Sequence, residues 1–158
     1  MLTTKQVRNI IKKYTSIDED GNKRWLLNGK LHREDGPAIE WADGAKQWWI
    51  NGKLHRVDGP AIERSDGTRR WLLNGELHRE DGPACEYSNG DKEWWLNGQR
   101  HRVDGPAVEY SDGDKEWWLN SQKYNEEEFA LLQLMKTNLV VLLLRNGRSD
   151  IFGKKVDK

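Results

Sequence analysis

The sequence predicts a mainly β protein, an elongated array of short β-hairpin repeats with a helical segment at each end. The first observation is that tryptophan recurs every 23 positions along most of the chain. The second is that each interval carries Asn-Gly, then His-Arg-x-Asp-Gly-Pro-Ala-x-Glu, then a further Asp-Gly or Asn-Gly. Such a fixed period indicates one small unit stacked in a row, with each unit burying its apolar side on its neighbours. The anchoring tryptophans are Trp25, Trp48, Trp71, Trp94 and Trp117.

Two turn signals divide each repeat into short extended stretches. Asn-Gly and Asp-Gly pairs supply the positive φ angles that tight hairpin turns require. In the fourth repeat, these turns bound extended stretches over 92–96 and 107–110. A third possible extended stretch, which follows Gly52 in the second repeat, is short and leads towards Pro60. Proline cannot donate to a strand ladder. We therefore expect two strands and a structured loop in each repeat, rather than three very short strands.

Alternation along the first strand assigns its side chains to faces. The first and third positions, such as Trp94 and Leu96, share the face that we expect to be buried, and the second position points the other way. Two positions alternate in step between repeats, which predicts a superperiod of two repeats. The second strand position and the residue after His-Arg pair as Leu26 with Glu34, Trp49 with Val57, Leu72 with Glu80, and Trp95 with Val103.

The chain divides into four predicted segments, 1–15, 16–120, 121–146 and 147–158. Residues 1–15 are expected to form a short helix that caps the array, because apolar residues recur there at helical spacing. The array of repeats is predicted to end at residue 120, since the turn glycine and the His-Arg pattern are replaced after it. The last segment is polar and is expected to be a mobile tail. The apolar positions of the first helix are Val7, Ile10, Ile11 and Tyr14.

Residues 121–146 are predicted to form a second capping helix, because a terminal repeat leaves an unpaired edge. Asn125 can serve as the N-cap, and the three glutamates that follow it suit the positive end of the helix dipole. Residues 139–144 could continue this helix or form a strand, and their few β-branched residues favour the helix. The apolar positions expected on one face are Phe129, Leu132, Met135 and Leu139.

Composition limits the classes of function. Lys plus Arg equals Asp plus Glu at 26 each, so there is no overall positive field to attract nucleic acid. The hydrophobic fraction of 35% is low, but nine tryptophans can each bury ~150–250 Å². Cys85 is the only cysteine and occupies a small apolar position, so we expect a buried, unreactive thiol. Without a signal peptide or a membrane-length apolar run, we expect a soluble, cytoplasmic protein.

The repeat resembles the MORN repeat, through its tryptophan-led strand, Asn-Gly, histidine, glycine, second short strand and Asp-Gly. The resemblance covers roughly residues 16–120 and implies an elongated, twisted sheet of successive hairpins. It also implies a role in protein scaffolding, dimerisation or phospholipid contact. Two departures argue against the lipid role, namely arginine after the histidine and Glu93 where the MORN strand carries glycine. The same string is similar to repeat proteins of bacteriophages and giant viruses.

The recurring histidines and arginines are predicted to form a structural ladder, with no metal and no cofactor. Equivalent atoms of neighbouring repeats lie ~9–10 Å apart, too far for two histidines to share a zinc ion. We expect each histidine to bond within its own loop, and each arginine to pair with the aspartate or the glutamate that follows it. His101 and Asp104 suggest a catalytic pair, but copies spread along a row do not converge on one pocket. The ladder residues are His32, Arg33, His55, Arg56, His78, Arg79, His101 and Arg102.

Aromatic residues that point away from the predicted buried face are candidates for contact with a partner protein, because exposed rings are typical of interface hot spots. The alternative is that self-association or the C-terminal helix covers these rings, which would imply a homodimer. Lipid head groups and single-stranded nucleic acid rank lower, since acidic residues accompany the arginines. The predicted function is a non-enzymatic protein-binding module, such as a phage-type inhibitor or adaptor acting on a bacterial protein. The candidate contacts are Trp41, Trp49, Tyr87, Trp95, Tyr110 and Trp118.

Overall fold

A computed structural model describes residues 13–145 and shows a mainly β protein. Residues 1–12 of the predicted N-terminal helix and the predicted tail over 147–158 lie outside the described residues. Residues 13–15, which the sequence assigned to that helix, instead belong to a strand. The described elements are β1 (Lys13–Ile17), β2 (Lys23–Leu27), β3 (Lys30–Leu31), β4 (Ile39–Glu40), β5 (Lys46–Gln47), β6 (Trp49–Ile50), β7 (Lys53–Leu54), β8 (Ile62–Glu63), β9 (Arg69–Arg70), β10 (Leu72–Leu73), β11 (Glu76–Leu77), β12 (Cys85–Glu86), β13 (Lys92–Glu93), β14 (Trp95–Leu96), β15 (Gln99–Arg100), β16 (Val108–Glu109), β17 (Lys115–Leu119), β18 (Gln122–Tyr124) and α1 (Glu126–Arg145).

The strands form one long antiparallel sheet with a row of hairpins beside it. The central sheet has the order β1-β2-β4-β5-β8-β9-β12-β13-β16-β17-β18, and β3 pairs with β2. Three hairpins, β6–β7, β10–β11 and β14–β15, form the flanking row. Each internal repeat therefore adds two strands to the central sheet and one hairpin to the row. The predicted array of β-hairpin repeats is confirmed.

The residues after each Asn-Gly turn form a strand of their own, so the prediction of two strands per repeat was wrong. In the second repeat β7 pairs with β6 across the turn. Asn51 and Gly52 have φ angles of 52° and 80°, the positive pair that a type I′ turn requires. This turn reverses the chain onto its own preceding strand. The first strand is also interrupted at Trp48, where the chain leaves the central sheet and enters the hairpin row.

The array continues past residue 120, contrary to the prediction, because the fifth unit also closes a hairpin. β17 pairs with β18, and Trp117 lies opposite Tyr124. Asn120 and Ser121 have φ angles of 50° and 63°, so serine adopts the left-handed conformation that glycine supplies in the other repeats. The Ser121 N–H donates to the carbonyl of Arg100 at 2.9 Å, which ties this hairpin to the one before it. The array therefore ends at Tyr124, and the helix predicted over 121–146 begins later.

The helix α1 has the predicted N-cap and continues through residues 139–144, as predicted. Asn125 Oδ1 accepts from the Glu128 N–H at 2.8 Å, and Glu128 Oε2 accepts from the Asn125 N–H at 3.1 Å. These reciprocal bonds form a capping box. Phe129 is 6% exposed, but Met135, predicted on the same face, is 60% exposed, because six residues rotate a helix by about 240°. Within residues 13–145 there is no helix whose length and apolar character would let it span a bilayer.

The fully buried residues of the core are small, and they recur along the array. Trp94 and Leu96, predicted to share the buried face, are half-buried, and so is Trp95 on the opposite face. A single-layer sheet has no second layer to cover either face, so burial comes from neighbouring repeats and from the loops. The alanine of each Gly-Pro-Ala is fully buried, and these residues are Ala38, Ala61, Ala84 and Ala107.

Enlarging one of these alanines is expected to destabilise the array. Ala84→Leu should lower the free energy of unfolding by ~1–3 kcal/mol, because overpacking a fully buried site forces its neighbours to move. Urea denaturation followed by tryptophan fluorescence measures the effect. The control Ala130→Leu adds the same atoms at an exposed position of α1, where leucine is a good helix former. Equal midpoints for the two variants would contradict a core built on these alanines.

Candidate interaction surface

The central sheet has two faces with different chemistry. Directly opposite residues in an antiparallel ladder share a face, and so do residues two apart in one strand. Glu93 lies opposite Cys85, and the Trp95 Nε1–H donates to Glu93 Oε2, so these three residues share one face. We define the aromatic face by Trp41, Trp49, Tyr87, Trp95, Tyr110 and Trp118. We define the loop face by Trp25, Trp48, Trp71 and Trp94 together with the loops 32–38, 55–61, 78–84 and 101–107.

Arg102 shows the contacts that organise every loop on the loop face. Its guanidinium carbon lies 4.0 Å from the centre of the Trp94 ring, which is a cation–π contact. Nε donates to Asp104 Oδ1 at 2.9 Å, and Nη1 donates to Pro106 O at 3.1 Å and Glu109 Oε1 at 2.8 Å. The arginine thus pairs with the aspartate and the glutamate at once, where the sequence left them as alternatives. The same stacking joins Arg33 to Trp25, Arg56 to Trp48, and Arg79 to Trp71.

The glycine of each Asp-Gly-Pro-Ala string provides room for the guanidinium. A Cβ atom added to Gly82 would lie 2.9 Å from Cζ of Arg79, which is closer than such atoms approach. Since the guanidinium also lies against the Trp71 ring, it has little freedom to move aside. The carbonyl of Ala84 accepts from the Trp71 N–H at 2.8 Å, which ties the end of the loop back to the strand. Sequence reasoning missed this role of the glycine, although its recurrence in every loop was the available signal.

Each loop histidine contacts the next repeat, so the prediction of a bond within its own loop was wrong. The backbone N–H of Asn97 donates to Nδ1 of His78 at 3.2 Å, and Asn97 Oδ1 lies 2.9 Å from the same nitrogen. Asn97 opens the positive-φ turn of the following hairpin, so the histidine helps to hold that hairpin in place. The partner lies 19 residues away in sequence. The four pairs are His32–Asn51, His55–Asn74, His78–Asn97 and His101–Asn120.

The two-repeat superperiod separates loops that carry glutamate from loops that carry valine. Glu80 Oε1 lies 3.7 Å from Nε2 of His78. In the next loop Val103 takes the equivalent position and is 53% exposed. The first two loops show the same alternation, with Glu34 followed by Val57. Successive loops therefore present, in turn, a carboxylate and an apolar side chain to solvent.

On the aromatic face, each second-position tryptophan is anchored by the side chain two residues before it. The Trp95 Nε1–H donates to Glu93 Oε2 at 2.7 Å. The equivalent bonds join Trp118 to Glu116 at 2.9 Å and Trp49 to Gln47 at 3.0 Å. The sequence carried a signal for these acceptors that was missed. Glutamate or glutamine stands two positions before each of these tryptophans, whereas arginine stands two positions before the leucines of the alternate repeats.

The six predicted contact residues lie on this one face, but as rings packed among charged neighbours. Five of them are half-buried, and Tyr110 is 38% exposed. Arg100 stands between two rings, with its guanidinium carbon 5.2 Å from the Trp95 centre and 5.3 Å from the Trp118 centre. The face is therefore a surface of fixed aromatic edges and paired charges, rather than a row of freely exposed indoles.

Burial and hydrogen bonds shift the ionisation of groups on both faces. Burial, and then the charge of Glu93, raises the pKa of the Cys85 thiol to about 11, so this thiol stays protonated and unreactive at neutral pH. The predicted burial of Cys85 is confirmed. Burial also raises the pKa of Tyr87 to about 12. On the loop face, hydrogen bonds from the arginines lower the pKa of Asp58, Asp81 and Asp104.

The loop face does not assemble the histidine–aspartate pair that the sequence suggested. Asp104 accepts from Arg102, while Nδ1 of His101 lies 2.7 Å from Oδ1 of Asn120. Among residues 13–145, no group of three or more His, Cys, Asp or Glu side chains is placed to hold a metal ion. The polar side chains of each loop serve its own folding and its contact with the next repeat.

Three open clefts lie between successive loops on the loop face. Each cleft has one loop as a wall, the next loop as the opposite wall, and the anchoring tryptophan and third-position aliphatic residue as its floor. Their volumes are about 660, 680 and 470 Å³, within the ~300–1,000 Å³ range of ligand pockets. The floors are formed by Trp48 with Ile50, Trp71 with Leu73, and Trp94 with Leu96.

No model of a known protein family matches the sequence, and no curated protein resembles it at a significant level. The candidate surfaces therefore derive from the geometry of the two faces.

Removing the space beside an arginine is expected to destabilise its loop. Gly82→Ala should lower the free energy of unfolding by ~1–3 kcal/mol, because the new methyl group displaces the Arg79 guanidinium from its partners. A double-mutant cycle with Arg79→Ala, measured by urea denaturation, isolates the contact. In the Arg79→Ala background the cost of Gly82→Ala should nearly vanish. An equal cost in both backgrounds would show that the glycine acts independently of the arginine.

Acid is expected to weaken the loops. A carboxyl whose pKa is lower in the folded than in the unfolded protein stabilises the fold above the unfolded pKa, about 3.9 for aspartate, and loses that effect as pH falls through the folded pKa. Hydrogen bonds from arginine place Asp58 and Asp81 in this class. The melting temperature should therefore change little from about pH 7 to about pH 5, and it should decrease when the pH is lowered below about 4. Asp81→Asn should melt below the wild type at neutral pH and converge with it in acid. A difference that persists unchanged in acid would contradict this assignment.

Proposed function

We propose that this chain is a non-enzymatic, protein-binding repeat module whose partner contacts the aromatic face. The observation that carries the proposal is the set of tryptophans on that face whose indole N–H groups are held by acceptors two residues earlier in the chain. Rings fixed in this way lose little conformational freedom on binding, and such aromatic anchors dominate interface energies. The residues in question are Trp49, Trp95 and Trp118.

The arrangement of the titratable residues supports a binding role rather than catalysis. Catalysis requires different groups that converge on one pocket. Here the same histidine, arginine and aspartate recur in every repeat, and hydrogen bonds within or between repeats occupy them, as Arg79 and Asp81 illustrate. The resemblance to MORN repeats, and to repeat proteins of bacteriophages and giant viruses, gives this role a concrete form. We propose an inhibitor or adaptor that acts on a bacterial protein.

A surface for single-stranded nucleic acid or lipid head groups is the second candidate, because Arg100 lies between two tryptophan rings. Base stacking on aromatic residues beside arginine is typical of single-strand binding. However, Glu93 lies 3.6 Å from Arg100, and Glu116 lies 2.6 Å from Nζ of Lys123. These carboxylates offset the cations that a phosphate would need, so a protein partner is favoured.

The test compares Trp95→Ala and Tyr110→Ala with the wild type. Tyr110 is the most exposed of the six residues, so its removal preserves the fold even if Trp95→Ala lowers the melting temperature. The control Leu134→Ala removes an exposed apolar side chain from α1 instead of an aromatic one from this face. We expect the tagged wild type and the control to retain one stoichiometric protein partner from bacterial lysate, and Tyr110→Ala to lose it while melting as the wild type does.

Three further measurements decide between the candidates. Light scattering of the purified chain tests whether a second copy occupies the aromatic face, as a homodimer requires. Electrophoretic mobility shift with a single-stranded oligonucleotide and sedimentation with anionic liposomes test the second candidate. Two results would overturn the proposal. The first is that the wild type binds the oligonucleotide or the liposomes and Tyr110→Ala abolishes that binding. The second is that both aromatic-face variants still capture the protein partner as the wild type does.

A further inference from the structure

The loop face carries a second surface that the aromatic-face proposal does not use. The three clefts follow each other along the array and are built from equivalent residues of successive repeats. We propose that they bind together one extended, basic polypeptide segment, with one lysine or arginine side chain in each cleft. This proposal concerns the opposite face of the sheet, and it stands or falls independently of the function proposed above.

The charges around the clefts favour a cationic occupant. Each cleft is lined by two arginines and three carboxylates, which gives a formal charge of −1. The arginine side chains are only 21–22% exposed. The carboxylates at the rims are 76–85% exposed. A ligand that approaches the clefts therefore meets carboxylate oxygens first. These carboxylates belong to Glu34, Asp35, Asp58, Glu80, Asp81 and Asp104.

The arginines of the clefts are not placed to bind an anion. In the second cleft Arg79 already donates to Asp81, to the Pro83 carbonyl and to Glu86, and its flat side lies on Trp71. An incoming phosphate or carboxylate would have to replace these bonds and would also face the rim carboxylates. The aliphatic stem of a lysine or arginine suits the floor of tryptophan and leucine, while its charged end reaches the rim.

The spacing of the clefts selects the conformation of the ligand. Successive loops are two strands of the central sheet apart, so the clefts repeat every ~9.6 Å. A polyproline II segment rises ~3.1 Å per residue with three residues per turn, so every third side chain recurs on one side after ~9.3 Å. A β-strand alternates its side chains with period two, so residues three apart point to opposite sides. An α-helix covers ~9.6 Å in about 6.4 residues, which is not a whole number of turns. The polyproline II segment alone keeps register with all three clefts.

The test uses synthetic peptides of known spacing and the whole chain. The ligand peptide consists of four Pro-Pro-Arg units, and its matched control has the same composition with the arginines grouped at one end. A third peptide replaces every arginine with aspartate. Isothermal titration calorimetry at low ionic strength should show binding of the spaced peptide about tenfold tighter than the grouped peptide, and no binding of the acidic one.

Two isosteric substitutions neutralise all three clefts. Glu34 lines the first cleft, and Glu80 lines both the second and the third, so Glu34→Gln/Glu80→Gln brings each formal charge from −1 to zero. We expect this variant to bind the spaced peptide about tenfold more weakly, because one exposed charge pair is lost in each of the three clefts. The control Glu19→Gln/Glu127→Gln makes the same change of net charge at exposed sites outside the clefts and should bind as the wild type does.

The outcomes separate this proposal from the aromatic-face proposal. Tyr110→Ala should leave binding of the spaced peptide unchanged, even if it abolishes capture of the protein partner. Equal affinity for the spaced and grouped peptides would overturn the register argument. Equal weakening by the cleft variant and its control would overturn the assignment to the clefts, and tight binding of the acidic peptide would overturn the sign of the charge.

Discussion

The stacking of one arginine on one tryptophan in each repeat is the contact on which the other features of this molecule depend. Arg102 lies on the Trp94 ring and donates to an aspartate, a proline carbonyl and a glutamate of the same repeat. A planar guanidinium can stack and donate in several directions at once, which the ammonium of lysine cannot do. With the arginine in place, the loop folds down over its strand and half-covers the tryptophan. Without it, an indole would face water on a sheet that has no second layer.

Cohesion between repeats comes from a different set of contacts. The Asn97 N–H donates to His78 from the next hairpin, and the Gly98 N–H donates to the carbonyl of Leu77. The backbone hydrogen bonds between repeats within residues 13–145 join adjacent units, so stability should grow with the number of repeats rather than with the size of a central core. The hairpin that closes with Ser121 shows that these contacts persist at the last unit, even where the turn residue is not glycine. The helix α1 then covers the end of the array through Phe129.

The two faces use their polar residues for different purposes. On the loop face the charged groups complete the fold and leave carboxylates at the rims of regularly spaced clefts. On the aromatic face glutamate or glutamine holds the tryptophan rings of the second, fourth and fifth repeats, whereas arginine precedes the leucines of the first and third. Over the four full repeats the superperiod of two repeats is therefore a physical property of both faces. It places equivalent features ~19 Å apart, because two repeats contribute four strands to the central sheet at ~4.8 Å each.

The repeat period, the positive-φ turns, the capping box at Asn125 and the continuation of α1 through residues 139–144 could all be predicted from the sequence. Each of these features depends on residues close together in the chain, where backbone sterics and local hydrogen bonds decide the outcome. Predictions failed where the decision involved a neighbouring repeat or the packing of an element. The strand β7, the continuation of the array to Tyr124 and the exposure of Met135 belong to that class.

By itself, the sequence determined that this protein is a row of hairpins with paired charges, because a 23-residue period and its turn residues allow few other arrangements. Only the tertiary structure decided which partner each side chain takes. His78 bonds to a residue 19 positions away, because stacking the repeats brings the next hairpin to its ring. Arg79 satisfies two carboxylates and an aromatic ring together, because Gly82 leaves room for it to lie flat. Contacts of this kind depend on the distance between stacked units, which no local pattern specifies.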